Sequence, residues 1–213
     1  MIKNPYPGKF ISIDGIDGAG KSTQLQFIEG WFENLGYKVY SGHEPTMGNT
    51  GSKVNKIIKN KKSAPTPHEL QKMFIEDRKE HLEGDIMPAL KSGAVYICDR
   101  YFLSTLAYGM AEGLSFDDLM ADHEEILSNE FIVPDMMLVI DTPVEIALAR
   151  LKSKKSEKDL EYFERKEDVM KKVSENFKSF KDKFENINFV SGYLSIPDVT
   201  NEVNEILNKK FKL

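Results

Sequence analysis

The segment GIDGAGKS, residues 15–22, constrains this chain more than any other. Gly15, Gly18 and Gly20 let the backbone curl tightly, and Lys21 and Ser22 close the curl with an ammonium and a hydroxyl. The residues before it, FISI, are apolar or β-favouring, and after it Leu25, Ile28, Phe32 and Leu35 recur at helical spacing. The loop therefore joins a strand to a helix. In that setting GxxxxGK[ST] is a phosphate-binding loop, and an NTP is its expected ligand. Backbone N–H groups of Gly15, Gly18, Ala19 and Gly20 converge on a polyphosphate, and Lys21 reaches its terminal phosphates. Ser22 supplies a hydroxyl to Mg²⁺, and the helix that runs on through Thr23 adds a favourable dipole. The bland alternative is a glycine-rich turn with no ligand.

A chain of 213 residues can bury one substantial core, so a single domain over 1–213 is expected. Its 29 basic and 34 acidic residues give a formal charge of −5, which argues against a general nucleic-acid binder. A phosphate site must then be locally basic. No apolar signal segment precedes the first strand and no run reaches the length of a membrane span, so no membrane partner and a cytoplasmic location are expected. The one cysteine, Cys98, excludes an internal disulfide and any multi-cysteine metal site. Within AVYICD it reads as a buried strand residue.

Short, continuously apolar runs recur at KFISID, YKVYSG, AVYICD, MMLVID and INFVS, and all five read as strands buried on both faces. Helical patterns lie between them, over 21–35, several across 51–92, then 101–128, 143 to about 184, and 197–211. This order predicts an α/β fold, a five-stranded parallel sheet wrapped by helices, with ligands at the carboxyl ends of the strands. Three of the runs end there in aspartate, at Asp14, Asp99 and Asp141. Residues 151–168 form a mixed-charge run whose simplest reading is a solvated helix face.

Two further constellations carry chemistry. Phe74, Asp77, Arg78 and His81 share one helix face, a combination suited to stacking on a flat base while hydrogen-bonding its edge. The same spacing fits a surface face of salt bridges around a partly exposed Phe. In CDRYFLSTLAYG, Asp99 closes a strand, Arg100 follows, and Tyr101, Ser104 and Tyr108 align on the next helix. A carboxylate there is placed to hold Mg²⁺ through water, and Arg100 to face transferring phosphates. An ion pair capping the helix is the alternative. Asp17 adds negative charge inside an anion-binding loop, so it is expected to point away, toward a second ligand's hydroxyls. Glu44-Pro45-Thr46 forms a rigid turn that can line that second site.

Taken together these segments resemble the thymidylate kinase family. FISIDGIDGAGKSTQ is similar to its phosphate loop, HEPTMGNTGSKV to its REPGGT or REPT segment, and FIEDRKEH to its Phe-x-x-Asp-Arg-x-x-His helix. CDRYFLSTLAYG is similar to its DRYxxSxxAYQ, and PDMMLVIDTPVEIALARL to its PDLTLYLDVPPEVALERI. The resemblance implies transfer of the γ-phosphate of ATP to dTMP with Mg²⁺, a P-loop NTPase fold with a mobile lid at about 151–168, and a homodimer. It places Lys21, Asp99 and Arg100 in catalysis, Asp99 and Ser22 at Mg²⁺, and Arg150 near the ATP base. It also implies Phe74 stacked on thymine, Arg78 on the base edge and Asp17 at the sugar 3′-hydroxyl. Arg100 would bind phosphates, and Glu44, Pro45, Ser104 and Tyr108 would line the nucleoside pocket.

The chain departs from that pattern at His43, Asn55 and Gly109, where the family has arginine, often arginine, and glutamine. Lys53, Lys56 and Lys59 flank Asn55. The lid run offers Lys152, Lys154, Lys155 and Lys158 but no arginine before Arg165, and a lysine is a point charge rather than a two-pronged donor. A regulatory GTPase is disfavoured because NKKS at 60–63 has Ser63 where guanine recognition needs aspartate. The competing readings are a kinase for another nucleoside monophosphate and a catalytically weak nucleotide-binding regulator.

Overall fold

The computed structural model describes residues 1–59, 65–154 and 167–211. Its strands are β1 (Ile2–Lys3), β2 (Lys9–Asp14), β3 (Val39–His43), β4 (Val95–Asp99), β5 (Ile132–Val133), β6 (Met136–Asp141) and β7 (Ile187–Ser191). Five of them make one parallel sheet in the order β3-β4-β2-β6-β7, and β1 pairs with β5 in a short separate ribbon. The ribbon strands have two residues each, too few to show a period in the sequence. Ile13 aligns with Asp99 and Asp14 with Val139, so β2 and β4 end within a residue of one another, while β6 runs on past them to Asp141.

Continuous apolar runs bury both faces in the three inner strands, where Phe10, Ile11, Ile97, Met137 and Leu138 are wholly inaccessible. The expectation of two-sided burial fails at the edges. β3 is mostly exposed, with Tyr40 at 39%, because an edge strand has a neighbour on one side only. Lys38 covers the Tyr40 ring from 4.8 Å.

The helices are α1 (Lys21–Asn34), α2 (Asn49–Lys59), α3 (Pro67–His81), α4 (Met87–Lys91), α5 (Phe102–Ala111), α6 (Phe116–Leu127), α7 (Val144–Lys154), α8 (Glu167–Ser179) and α9 (Ile196–Phe211). Thr66 and Glu69 form a reciprocal capping box at the start of α3, with proline in its first turn. A π-helical turn, Leu82–Ile86, carries the chain from α3 into α4. The pattern over 101–128 is two helices rather than one, because the Ser115 hydroxyl accepts the Asp118 N–H at 3.0 Å and starts α6 afresh. The pattern from 143 likewise yields α7 and α8. Residues 155–166 lie outside the described residues, and with them most of the expected lid, including Lys155, Lys158 and Arg165. No helix among the described residues is long and apolar enough to cross a membrane.

Candidate functional site

β2 ends at Asp14 and α1 begins at Lys21, and the glycine-rich loop turns between them. Gly18 has φ +80°, and a Cβ there would lie 2.4 Å from the Ala147 carbonyl oxygen, so only glycine fits. Gly20 is the N-cap and provides no side-chain bond, which leaves the first amides of α1 open to an anion. Lys21 is buried. Its Nζ donates to the carbonyls of Gly15 (3.3 Å) and Ile16 (3.2 Å). Burial, and then the Arg100 charge, push its ammonium pKa down, so a phosphate bound beside it would stabilise the charged form. Arg150 clamps the loop from α7, its Nη1 donating to Ala19 O at 3.2 Å and to Gly192 O at 2.9 Å.

A cleft of about 540 Å³ opens over this loop. Gly18, Ala19, Gly20, Lys21, Ser22, Thr23, Asp99 and Arg150 all line it. Gly15 does not. Its carbonyl lies beneath, taking Lys21 and, at 3.2 Å, Arg100 Nη1. Asp99 closes β4 with its Oδ1 buried, without a hydrogen-bond partner and 4.0 Å from Lys21 Nζ. A buried carboxylate oxygen with no donor calls for a cation. Asp99 and the exposed Ser22 hydroxyl supply hard oxygen ligands on the same cleft wall, which suits a mostly hydrated Mg²⁺.

Arg100 has left-handed backbone, φ 68°, a conformation that costs a non-glycine residue about 1–2 kcal/mol. It is held there by its N–H to Ile13 O at 2.8 Å and by Cys98 Sγ donating to its carbonyl at 2.9 Å. The turn brings the guanidinium back over the phosphate loop, where Nη2 meets Asp17 Oδ1 at 2.5 Å. Tyr108 donates to Asp17 Oδ2 at 3.4 Å, and the Arg100 guanidinium lies 5.3 Å over the Tyr108 ring. Asp17 thus faces out of the loop toward α5. Ser104 donates to Asp14 Oδ1 at 2.6 Å. Burial raises the Asp14 pKa, against the hydrogen bonds from Ser104, the Tyr101 N–H and Ser12.

A second, narrower cavity, about 80 Å³, lies beyond Arg100. It takes in every residue the sequence assigned to the acceptor: Asp17, Glu44, Pro45, Phe74, Arg78, Arg100, Ser104 and Tyr108. The helix face of Asp77, Arg78 and His81 is buried rather than solvated. Arg78, 1% exposed, donates to Glu44 Oε2 from Nε (2.9 Å) and Nη2 (2.6 Å), and to Thr105 Oγ1 at 3.1 Å. The expected base-edge residue is therefore largely committed within the protein. Asp77 holds the turn after Glu44 by accepting the Thr46 N–H at 2.8 Å, and Asn55 donates to Thr46 O at 2.9 Å.

Tyr101, aligned with Ser104 and Tyr108 by the sequence, also lines this cavity, whereas sequence reasoning missed Gln71 and Thr105 in its wall and His123 behind Arg78. His123 Nδ1 bonds to Leu119 O at 2.6 Å and its Nε2 to Arg78 Nη1 at 2.7 Å. Burial, then Arg78, push its pKa down to about 3, so it is neutral and accepts from Arg78. Nothing in local spacing ties it to an arginine 45 residues away. Cys98 is a buried strand residue whose thiol pKa is raised by burial.

The thymidylate kinase family model matches residues 13–203. A probable thymidylate kinase of Pyrococcus horikoshii is 35% identical over 92% of this chain and 94% of its own length. Thymidylate kinases of Desulfotalea psychrophila and Caldicellulosiruptor saccharolyticus are 35% and 31% identical, over 92% and 96% of this chain and 93% and 98% of theirs. Relatives matched almost end to end, on a chain whose phosphate loop faces two adjoining cavities, leave one conclusion: this protein belongs to the thymidylate kinase family.

Proposed function

We propose that this chain transfers the γ-phosphate of ATP to dTMP, giving dTDP and ADP, a step of nucleotide biosynthesis. The family and the names of its relatives support an ATP-dependent nucleoside monophosphate kinase. One observation carries the reading to this geometry. Asp17, Glu44 and Arg100 line both cavities, so a donor in the cleft and an acceptor in the slot meet across a single wall.

In this reading the loop amides and Lys21 hold the ATP phosphates, and Leu194, Ile196 and Arg150 border its base and sugar. An oxygen of the acceptor phosphate attacks the γ-phosphorus as the bond to ADP breaks. Arg100, aimed from the shared wall, balances charge on the moving group, and no side-chain nucleophile is required. Mg²⁺, held by Ser22 and Asp99, supplies further neutralisation of the phosphates when bound. In the slot Phe74 stacks on the base, Asp17 meets the sugar hydroxyl, and Ser104, Tyr108 and the Glu44-Pro45 turn shape the walls. The family's pattern further suggests a cytoplasmic homodimer of single-domain chains, which sedimentation would test for assembly.

The test is ADP release with Mg-ATP and a panel of dTMP, dUMP, UMP, dCMP, dGMP and AMP. dTMP should be the clear best acceptor. Lys21→Ala should lower turnover about 10²- to 10³-fold, the usual loss of one positioned donor. A different best acceptor overturns the assignment to dTMP, and normal turnover by Lys21→Ala overturns the phosphate site. Nucleotide binding without any ADP would favour a regulator.

A further inference from the structure

Gln71 is a wall residue of the acceptor slot with no role in the phosphoryl transfer itself. It lies on α3 one turn before Phe74, is 0% exposed, and lines the acceptor slot. Neither its Oε1 nor its Nε2 has a hydrogen-bond partner. Buried carboxamides are ordinarily bonded at both atoms. Because both atoms are unpartnered here, the point does not depend on which way round the amide is assigned. The surroundings also make room for it. On α5, a Cβ at Gly109 would lie 3.2 Å from Gln71 Cγ and 2.8 Å from Leu119 Cδ1. A side chain at 109 would crowd the glutamine.

We propose that Gln71 is a specificity residue that reads the imide edge of the acceptor base, an inference that rests on the dTMP reading above. A carboxamide presents an acceptor and a donor side by side. Thymine offers the complement, N3–H beside a carbonyl: Oε1 accepts the N3–H while Nε2 donates to the oxygen. Phe74, on the same helix face, stacks on the ring whose edge Gln71 meets. Arg78, a donor only, has four of its N–H groups directed at Glu44, Thr105 and His123. Of the two, Gln71 alone can accept the imide proton.

The reading makes an unusual forecast, because a residue kept for a ligand is a liability without it. Gln71→Met conserves volume and removes both polar atoms. Without ligand its melting temperature should equal or exceed that of the wild type, while its KM for dTMP should rise about ten- to hundredfold and its KM for ATP should not change. The rise in melting temperature on adding dTMP should shrink in step. Gln71→Leu repeats the test with a different shape. A fall in the ligand-free melting temperature of both variants would mean that the carboxamide has internal partners and would overturn the proposal. So would an unchanged KM for dTMP in both variants of an enzyme whose wild type phosphorylates dTMP, a result that leaves the kinase reading intact. A wild type that neither phosphorylates dTMP nor is stabilised by it overturns both.

Discussion

Arg78 and Glu44 form the most deeply buried ion pair bordering the site, at 1% and 3% exposure and 2.6 Å apart. Their centres of charge lie about 4 Å apart, which at an effective dielectric of about 20 gives about 4 kcal/mol of attraction. Removing one partner of such a pair typically costs about 3–5 kcal/mol, because the other is left buried and uncompensated. Arg78→Met and Glu44→Leu should therefore each destabilise by that amount. A domain's whole stability is about 5–15 kcal/mol, so both should still fold in the cold. The double variant leaves no stranded charge. It should cost well below the sum of the singles, with a coupling energy above about 2 kcal/mol. The assay is urea unfolding of all four proteins. With a slope of about 2–3 kcal/mol per molar, each single should lower the midpoint by more than about 1 M. Singles that each cost under about 1 kcal/mol, and that add in the double, would refute the reasoning and return Arg78 to the ligand alone.

His123 predicts a dependence on pH. Its pKa falls from 6.5 to about 3 on folding, so the unfolded chain binds the proton that the folded chain refuses. The stabilisation is complete above pH 6.5 and is lost as pH falls toward 3, amounting to about 2 kcal/mol by pH 5. His123→Gln should remove that portion of the difference between unfolding at pH 7.5 and at pH 5, and equal differences in the two proteins would contradict the neutral, Arg78-facing imidazole. Asp99→Asn should raise the Mg²⁺ concentration for half-maximal turnover at least about tenfold and lower the maximum, since the hard anionic ligand is gone. An unchanged Mg²⁺ titration curve would remove Asp99 from the metal site.

Much of this was legible because it is local. A strand, a curl and a helix lie consecutively from Lys9 to Asn34, so one segment specifies the phosphate loop. The aspartates closing β2 and β4 were readable because parallel strands bring these carboxyl ends side by side, whereas Asp141 closes β6 further along and lines neither cavity. The interior of the slot was not legible in the same way. Arg78 looks the same on a helical wheel whether it faces a base or a carboxylate. Its bonds run to positions 44, 105 and 123, on three other elements or turns. The exposure of β3 was hidden for a similar reason, since an edge differs from a centre only in its neighbours.

The departures from the family pattern acquire a physical meaning once the site is assembled. Asn55 gives the site no charge, yet it fastens the Thr46 carbonyl at 2.9 Å and so helps fix the turn that carries Glu44. His43 lines the cleft with two ring nitrogens where a guanidinium has five donors. Lys53, Lys56 and Lys59 are exposed and border neither cavity, so they do not replace the missing cations there. Arg78 is neutralised by Glu44. Among the described residues this leaves Arg100 as the one cation that lines both cavities. Its strained backbone follows from that position. With φ near 68° the side chain reaches over the neighbouring phosphate loop to the Gly15 carbonyl, and an extended residue after β4 would carry the guanidinium away from the wall that the two cavities share.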